Sequence, residues 1–217
     1  GFSADGSMAW LRRCSSCTVR ETETGSLYGA PLPCGEKTVI SPTGDRFAVA
    51  YRGVNTGDPS RVLVYHTRSG LLVHRYHIQN HMFRGLQFSP DGQLLLAVGD
   101  EGDAYLWAGG LRVFPWVSGL GSYSVFTPDG LGLASGSGIV SLSTRAVNSL
   151  PRGQESQVAV SPDGRLMARR GQDDVIELWD VAQVKLLRRL TDLPGYRALL
   201  TFSADGSRLL VVQDGVM

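Results

Sequence analysis

At 217 residues the chain has room for one or two domains, and 42% hydrophobic residues against 19% charged is ample for a core. A net charge of +1, with Lys and Arg scattered rather than clustered, argues against a nucleic-acid footprint, which needs a basic stripe. No apolar run approaches the roughly 18 residues required to cross a bilayer as a helix.

In chain order, a short turn returns six times: Phe2-Ser3-Ala4-Asp5-Gly6, Ile40-Ser41-Pro42-Thr43-Gly44, Phe88-Ser89-Pro90-Asp91-Gly92, Phe126-Thr127-Pro128-Asp129-Gly130, Val160-Ser161-Pro162-Asp163-Gly164 and Phe202-Ser203-Ala204-Asp205-Gly206. Steps of 38, 48, 38, 34 and 42 residues between the glycines mark a repeat architecture. Proline presets the second turn position, Asp suits the third, and Gly takes the left-handed position that closes a hairpin. Each copy is therefore expected at the tip of a β-hairpin.

After each tip comes a compact apolar run: 46–51, 93–98, 131–134, 165–168 and 208–212. Such runs suit a strand buried on both faces and are too short for typical helices. A second strand follows, clearest in 62–66, 104–107 and 175–180, and then a more charged one, as in 71–76 and 185–190. Charge there suits an exposed sheet edge. The first unit supplies the end of an innermost strand at Gly1-Phe2-Ser3 and strands over 7–13, 18–22 and 26–31. An enlarged loop occupies 53–60, and unit four, Gly-rich over 130–138, ends in a very short strand near 148–150. The last unit holds two strands, 197–203 and 208–212.

With its Ser161-Pro162-Asp163-Gly164 turn and Leu178-Trp179-Asp180 ending, the stretch 158–190 resembles a WD repeat, and the pattern extends over nearly the whole chain. The resemblance implies an all-β fold, a β-propeller of four-stranded antiparallel blades, here an incomplete array of about five. Blades are expected over 35–79, 80–118, 119–151 and 152–192, with partial blades at 1–34 and 193–217, as in a fragment of a longer array. Only Trp179-Asp180 keeps the Trp-Asp pair; Tyr65-His66, Trp107-Ala108 and Leu142-Ser143 stand at the matching places, and no Gly-His pair precedes an inner strand. The TolB-like propeller, which shares the Ser-Pro-Asp-Gly turn, is the alternative within the fold.

Catalytic motifs are not found, and no cofactor or metal is expected. The cluster His74, His77 and His81 falls on and after a strand, where odd spacing sends His74 and His77 to opposite faces. The turn aspartates have a local reason to exist, Trp10, Trp107, Trp116 and Trp179 suit a core, and the pairs Arg12-Arg13, Arg169-Arg170 and Arg188-Arg189 suit strand ends and solvated edges. Cys14 and Cys17 read as two thiols in a turn; with Cys34 the odd count points to a reducing, cytoplasmic compartment.

In WD-repeat proteins, partner-binding residues lie where the chain enters each innermost strand, which here maps to Glu36, Arg84, Ser122, Ser156 and Ala198. His81, Phe83, Tyr196 and Arg197 stand nearby and could supply aromatic and Arg anchors. The mixed chemistry of these positions suits a protein or peptide partner, without nucleic acid or membrane, and a non-enzymatic scaffold. The alternative function is an accessory or sensor propeller of a larger enzyme, of the TolB-like, peptidase-associated or kinase-fused kind.

Overall fold

The structure is a computed structural model, and it describes the chain except for residues 4, 14–15, 54–58, 79–81, 101, 115–122, 152–156, 172–174, 192–197 and 214–217. Among the described residues there is no helix, and 21 strands form six antiparallel sheets, each built from strands consecutive in sequence. They fall into two compact units, Gly1–Trp116 and Val117–Met217.

The first unit holds three sheets. The first has β1 (Met8–Arg13), β2 (Ser16–Glu21) and β3 (Leu32–Pro33); the second has β4 (Lys37–Ile40), β5 (Arg46–Tyr51), β6 (Ser60–His66) and β7 (Leu72–Ile78); the third has β8 (Phe83–Phe88), β9 (Leu94–Gly99), β10 (Ala104–Ala108) and β11 (Leu111–Phe114). Gly1 to Ser3 run beside β1, with Trp10 N–H donating to Gly1 O at 2.8 Å and Ser3 N–H to Met8 O at 2.8 Å, the innermost-strand end anticipated from sequence. The outer strand of this sheet departs from the expected 26–31. Tyr28 N–H still bonds Val19 O, but Pro31 has no N–H to give, and Gly29 passes against the backbone of Thr67 and Arg68, so pairing resumes only at β3.

The second unit holds the remaining three sheets. They comprise β12 (Val125–Phe126), β13 (Gly132–Ser135), β14 (Gly138–Ser141) and β15 (Val147–Ser149); β16 (Val158–Val160), β17 (Leu166–Arg170), β18 (Ile176–Asp180) and β19 (Lys185–Leu190); and a pair, β20 (Ala198–Phe202) with β21 (Leu209–Gln213).

The apolar runs become the second strands of their sheets; those in β5, β9, β13 and β17 are buried on both faces, whereas in β21 Leu210 and Val212 stay 57% and 45% exposed, which corrects the expectation for the run 208–212. Phe47, Ala48, Val49 and Ala50 are fully buried, as are Leu96, Leu133 and Met167 to within 1%. Each such large side chain contributes about 1.5–3 kcal/mol through burial. These strands form the cores between neighbouring sheets within each unit, one uniting Ala48, Ala50 and Val62 with Phe83, Phe88, Leu95 and Trp107.

The recurring turn is built the same way in five of its six copies. At Ser89-Pro90-Asp91-Gly92 the Ser89 hydroxyl donates to Asp91 Oδ1 at 2.5 Å and accepts from Leu94 N–H at 2.8 Å, while Asp91 Oδ1 also accepts from Gln93 N–H at 3.0 Å. Gly92 sits at φ 71°, where a Cβ would be strained. In the second copy Thr43 occupies the Asp place, and Asp45 reaches back to Ser41 and Thr43 instead. The aspartates thus have turn partners, as the sequence suggests.

A second regularity lies in the outer strands. The pairing of third with fourth strand slips between Val64 and Tyr65, between Leu106 and Trp107, and between Leu178 and Trp179. Three sheets therefore carry a bulge at the same repeat position, which strengthens local twist. Trp107 and Trp179 are buried there as expected, Trp10 is half-buried, and Trp116 lies outside the described residues.

Two expectations are corrected. Arg169 and Arg170 are not a solvated strand end: they are 1% and 9% exposed, because the chain supplies Arg169 with a buried carboxylate at Glu177. Arg12, Arg13, Arg188 and Arg189 are exposed. And Cys17 is not a turn thiol. It lies within β2, fully buried, disulfide-bonded to Cys34 with a Cα–Cα distance of 5.3 Å. The pairing removes the ground for expecting a reducing compartment.

Candidate interaction surface

The positions four residues before each turn copy's apolar lead are Glu36 and Arg84 in the first unit. Glu36 is exposed immediately before β4, and its backbone is held: its N–H donates to Ala50 O at 2.8 Å, and Arg12 Nη1 donates to Gly35 O at 3.3 Å. Gly35 is required there, since a Cβ would stand 2.2 Å from Ala50 O. Cys34, just before it, is tied to Cys17. The Glu36 carboxylate thus projects from an anchored backbone.

Arg84 is placed by a different device. Phe83 pairs with Gly99 and Gly85 with Val98, leaving Arg84 as the extra residue of a bulge in β8. A bulge re-aims side chains; here Phe83 turns inward and Arg84 stays exposed. Phe83 is 4% exposed in the core shared with Ala48, Val62 and Trp107, so the structure corrects its reading as a loop anchor to one of packing. Strand β4, which Glu36 precedes, and strand β8, which holds Arg84, are in contact.

Of the other expected positions, Ala198 opens β20, whereas His81, Ser122, Ser156, Tyr196 and Arg197 lie outside the described residues. His74 is half-buried, its ring 6.0 Å from that of Tyr76, which stacks on Trp107 at 4.4 Å; burial and the nearby Arg46 charge hold its pKa below the ordinary value. His77 is exposed on the same strand. Among the described residues no three His, Cys, Asp or Glu side chains are placed to hold a metal.

Asp5, Glu21 and Glu23 line an open hollow beside Thr22, but Asp5 already accepts from Ser3 Oγ, Ser7 N–H and Ser7 Oγ. Those bonds bring its pKa down to about 2. Among the described residues no helix is long and apolar enough to cross a membrane.

Sequence reasoning missed a constellation in the second unit. Glu177, 4% exposed, accepts at Oε2 from Arg169 Nε at 3.1 Å, Arg169 Nη2 at 2.9 Å and Trp179 Nε1 at 3.0 Å, and at Oε1 from the exposed Arg189 at 3.3 Å. The Arg169 guanidinium also stands 4.9 Å from the Trp179 ring and donates through Nη1 to Gly136 O in the preceding sheet. Gly171 leaves the room: a Cβ there would lie 2.5 Å from Glu177 Cδ. The only sequence signal is the alternation Glu177-Leu178-Trp179, which puts Glu177 and Trp179 on one strand face.

Comparison with known proteins agrees with this architecture. The family described as WD domain, G-beta repeat matches residues 71–108, which run from the outer strand β7 of one sheet through β8, β9 and β10 of the next. Among curated proteins no sequence match is found. The C-terminal WD40 domain of Sif2 is similar in structure with a TM-score of 0.71 at 16% identity, covering 97% of this chain and 64% of that one. Hsv2 of Kluyvelomyces marxianus gives a TM-score of 0.75 at 17% identity, covering 99% and 72%. The chain thus spans less than two thirds of the Sif2 domain.

Proposed function

We propose that this chain, a WD-repeat β-propeller, works as a non-enzymatic scaffold that holds a protein or peptide partner at the entrances to its inner strands. The observation that carries the reading is the pair Glu36 and Arg84. They are equivalent repeat positions, Glu36 just before β4 and Arg84 within β8, the two strands being in contact; both are exposed, both stand on backbone fixed by its own hydrogen bonds or bulge, and they are opposite in charge. Rigid presentation lowers the ordering cost of binding, and unlike charges on one rim suit a partner of mixed chemistry rather than a uniform polyanion. For Ser122, Ser156, Tyr196, Arg197 and His81 partner contact is proposed from sequence position alone.

The test is charge reversal. Glu36→Lys and Arg84→Glu are expected to weaken capture of the partner by about tenfold or more each while leaving thermal unfolding unchanged. Equal capture by wild type and both variants overturns the assignment of the rim.

A further inference from the structure

Cys17 and Cys34 lie 17 residues apart in sequence and meet in the core of the first two sheets, among Val19, Leu32, Ile40, Phe47 and Val49. The later part of the segment between them is otherwise lightly held. Its strand β3 has two residues and two paired positions, Ser16 with Pro33 and Cys17 with Leu32, and neither Pro31 nor Pro33 can donate a backbone hydrogen bond. Upstream of it residues 22–28 form a hairpin turn that is joined to β2 on its own account, through Gly25 N–H to Glu21 O, Arg20 Nη1 to Gly25 O, Glu21 N–H to Ser26 O, the Arg20–Leu27 bridge and Tyr28 N–H to Val19 O, so the lightly held part is residues 29–36. Beyond it, Cys34 leads directly into the Gly35-Glu36 entry to β4, whose backbone packs on Ala50.

We propose that the Cys17–Cys34 disulfide is a redox latch: oxidised, it fastens the outer segment of the first sheet and the entry to the second, and reduced, it releases residues 29–36 into local unfolding while the hairpin turn at 22–28 and the second and third sheets stay folded. A cross-link acts by restricting the open ensemble, so it matters most where native hydrogen bonds are few. Closure converts two thiols into one disulfide. The two protons and two electrons pass to a disulfide oxidant, such as glutathione disulfide or the cysteine-pair disulfide of an oxidase, whose S–S bond breaks to two thiols. The fold thus completes itself where such oxidants act. The latch goes beyond the scaffold reading and holds whether or not Glu36 meets a partner.

The full chain, refolded with excess glutathione disulfide, is denatured in an alkylating agent without reductant, then reduced and labelled with a second agent. Cys14 is expected to carry the first label and Cys17 and Cys34 the second. Hydrogen exchange of the folded chain, with and without dithiothreitol, is expected to quicken about tenfold or more in residues 29–36 and to stay unchanged in β5 and β9. The variant Cys14→Ser is expected to behave as wild type. First-label modification of Cys17 and Cys34, a disulfide that includes Cys14, unchanged exchange after verified reduction, or loss of protection throughout the chain would each overturn the proposal.

Discussion

Arg169 and Glu177, on adjacent strands β17 and β18, form a two-pronged ion pair with side chains only 1% and 5% exposed. Removing one partner of a buried pair leaves the other charged and unsatisfied, at a cost of about 3–5 kcal/mol. Glu177→Ala is therefore expected to lower the stability of the second unit by that amount in urea unfolding. Arg169→Met combined with Glu177→Leu, which removes both charges, is expected to recover part of the loss. A cost below about 1 kcal/mol for Glu177→Ala would show that the pair does not brace the sheet.

The turn aspartates make a pH prediction. Asp5 and Asp205 are drawn down to about 2, first by the Ser3 and Ser203 hydroxyls and then by backbone N–H groups, and Asp91, Asp129 and Asp163 are lowered for the same reasons. A carboxyl depressed in the folded state stabilises the fold fully above its unfolded value of 3.8 and ceases to do so as pH falls through about 2. Carbon-detected titration is expected to show Asp205 ionising near 2, and Ser203→Ala to return it toward the ordinary value. An ordinary midpoint in the unmodified chain contradicts the turn account.

Val184 supplies a third test. The turn joining third to fourth strand uses a left-handed residue, Gly25 at φ 68° and Gly70 at φ 69°, but in the fifth sheet the place falls to Val184 at φ 51°. A β-branched side chain there costs about 1–2 kcal/mol. Since Val184 is 36% exposed, little burial opposes the exchange, and Val184→Gly is expected to raise stability by about 0.5–1 kcal/mol. A lower midpoint in denaturant would contradict this.

What the sequence made legible was local or periodic. The turn declares itself because Ser, Asp and Gly satisfy one another within five residues, and the second strands because an unbroken apolar run has few other solutions. What it hid depends on long-range pairing. Cys17 has a near neighbour in Cys14, so the spacing reads as two thiols in one turn, whereas its partner Cys34 arrives only when β2 and the entry to β4 fold together. Arg169 beside Arg170 looks like a solvated edge until Glu177 comes opposite it across the ladder. Phe83 and Arg84 look alike as loop anchors; the bulge that separates them, one inward and one outward, is a backbone irregularity with no composition signal except Gly85.

The central claim, a rigid rim that holds a protein partner, is tested most directly by affinity capture with wild type, Glu36→Lys and Arg84→Glu side by side, using the full-length protein. The account predicts one reproducible protein partner on the wild type, its recovery reduced about tenfold or more by each reversal, and identical thermal unfolding for all three. Reproducible absence of a protein partner, with a small metabolite bound in its place, would contradict it.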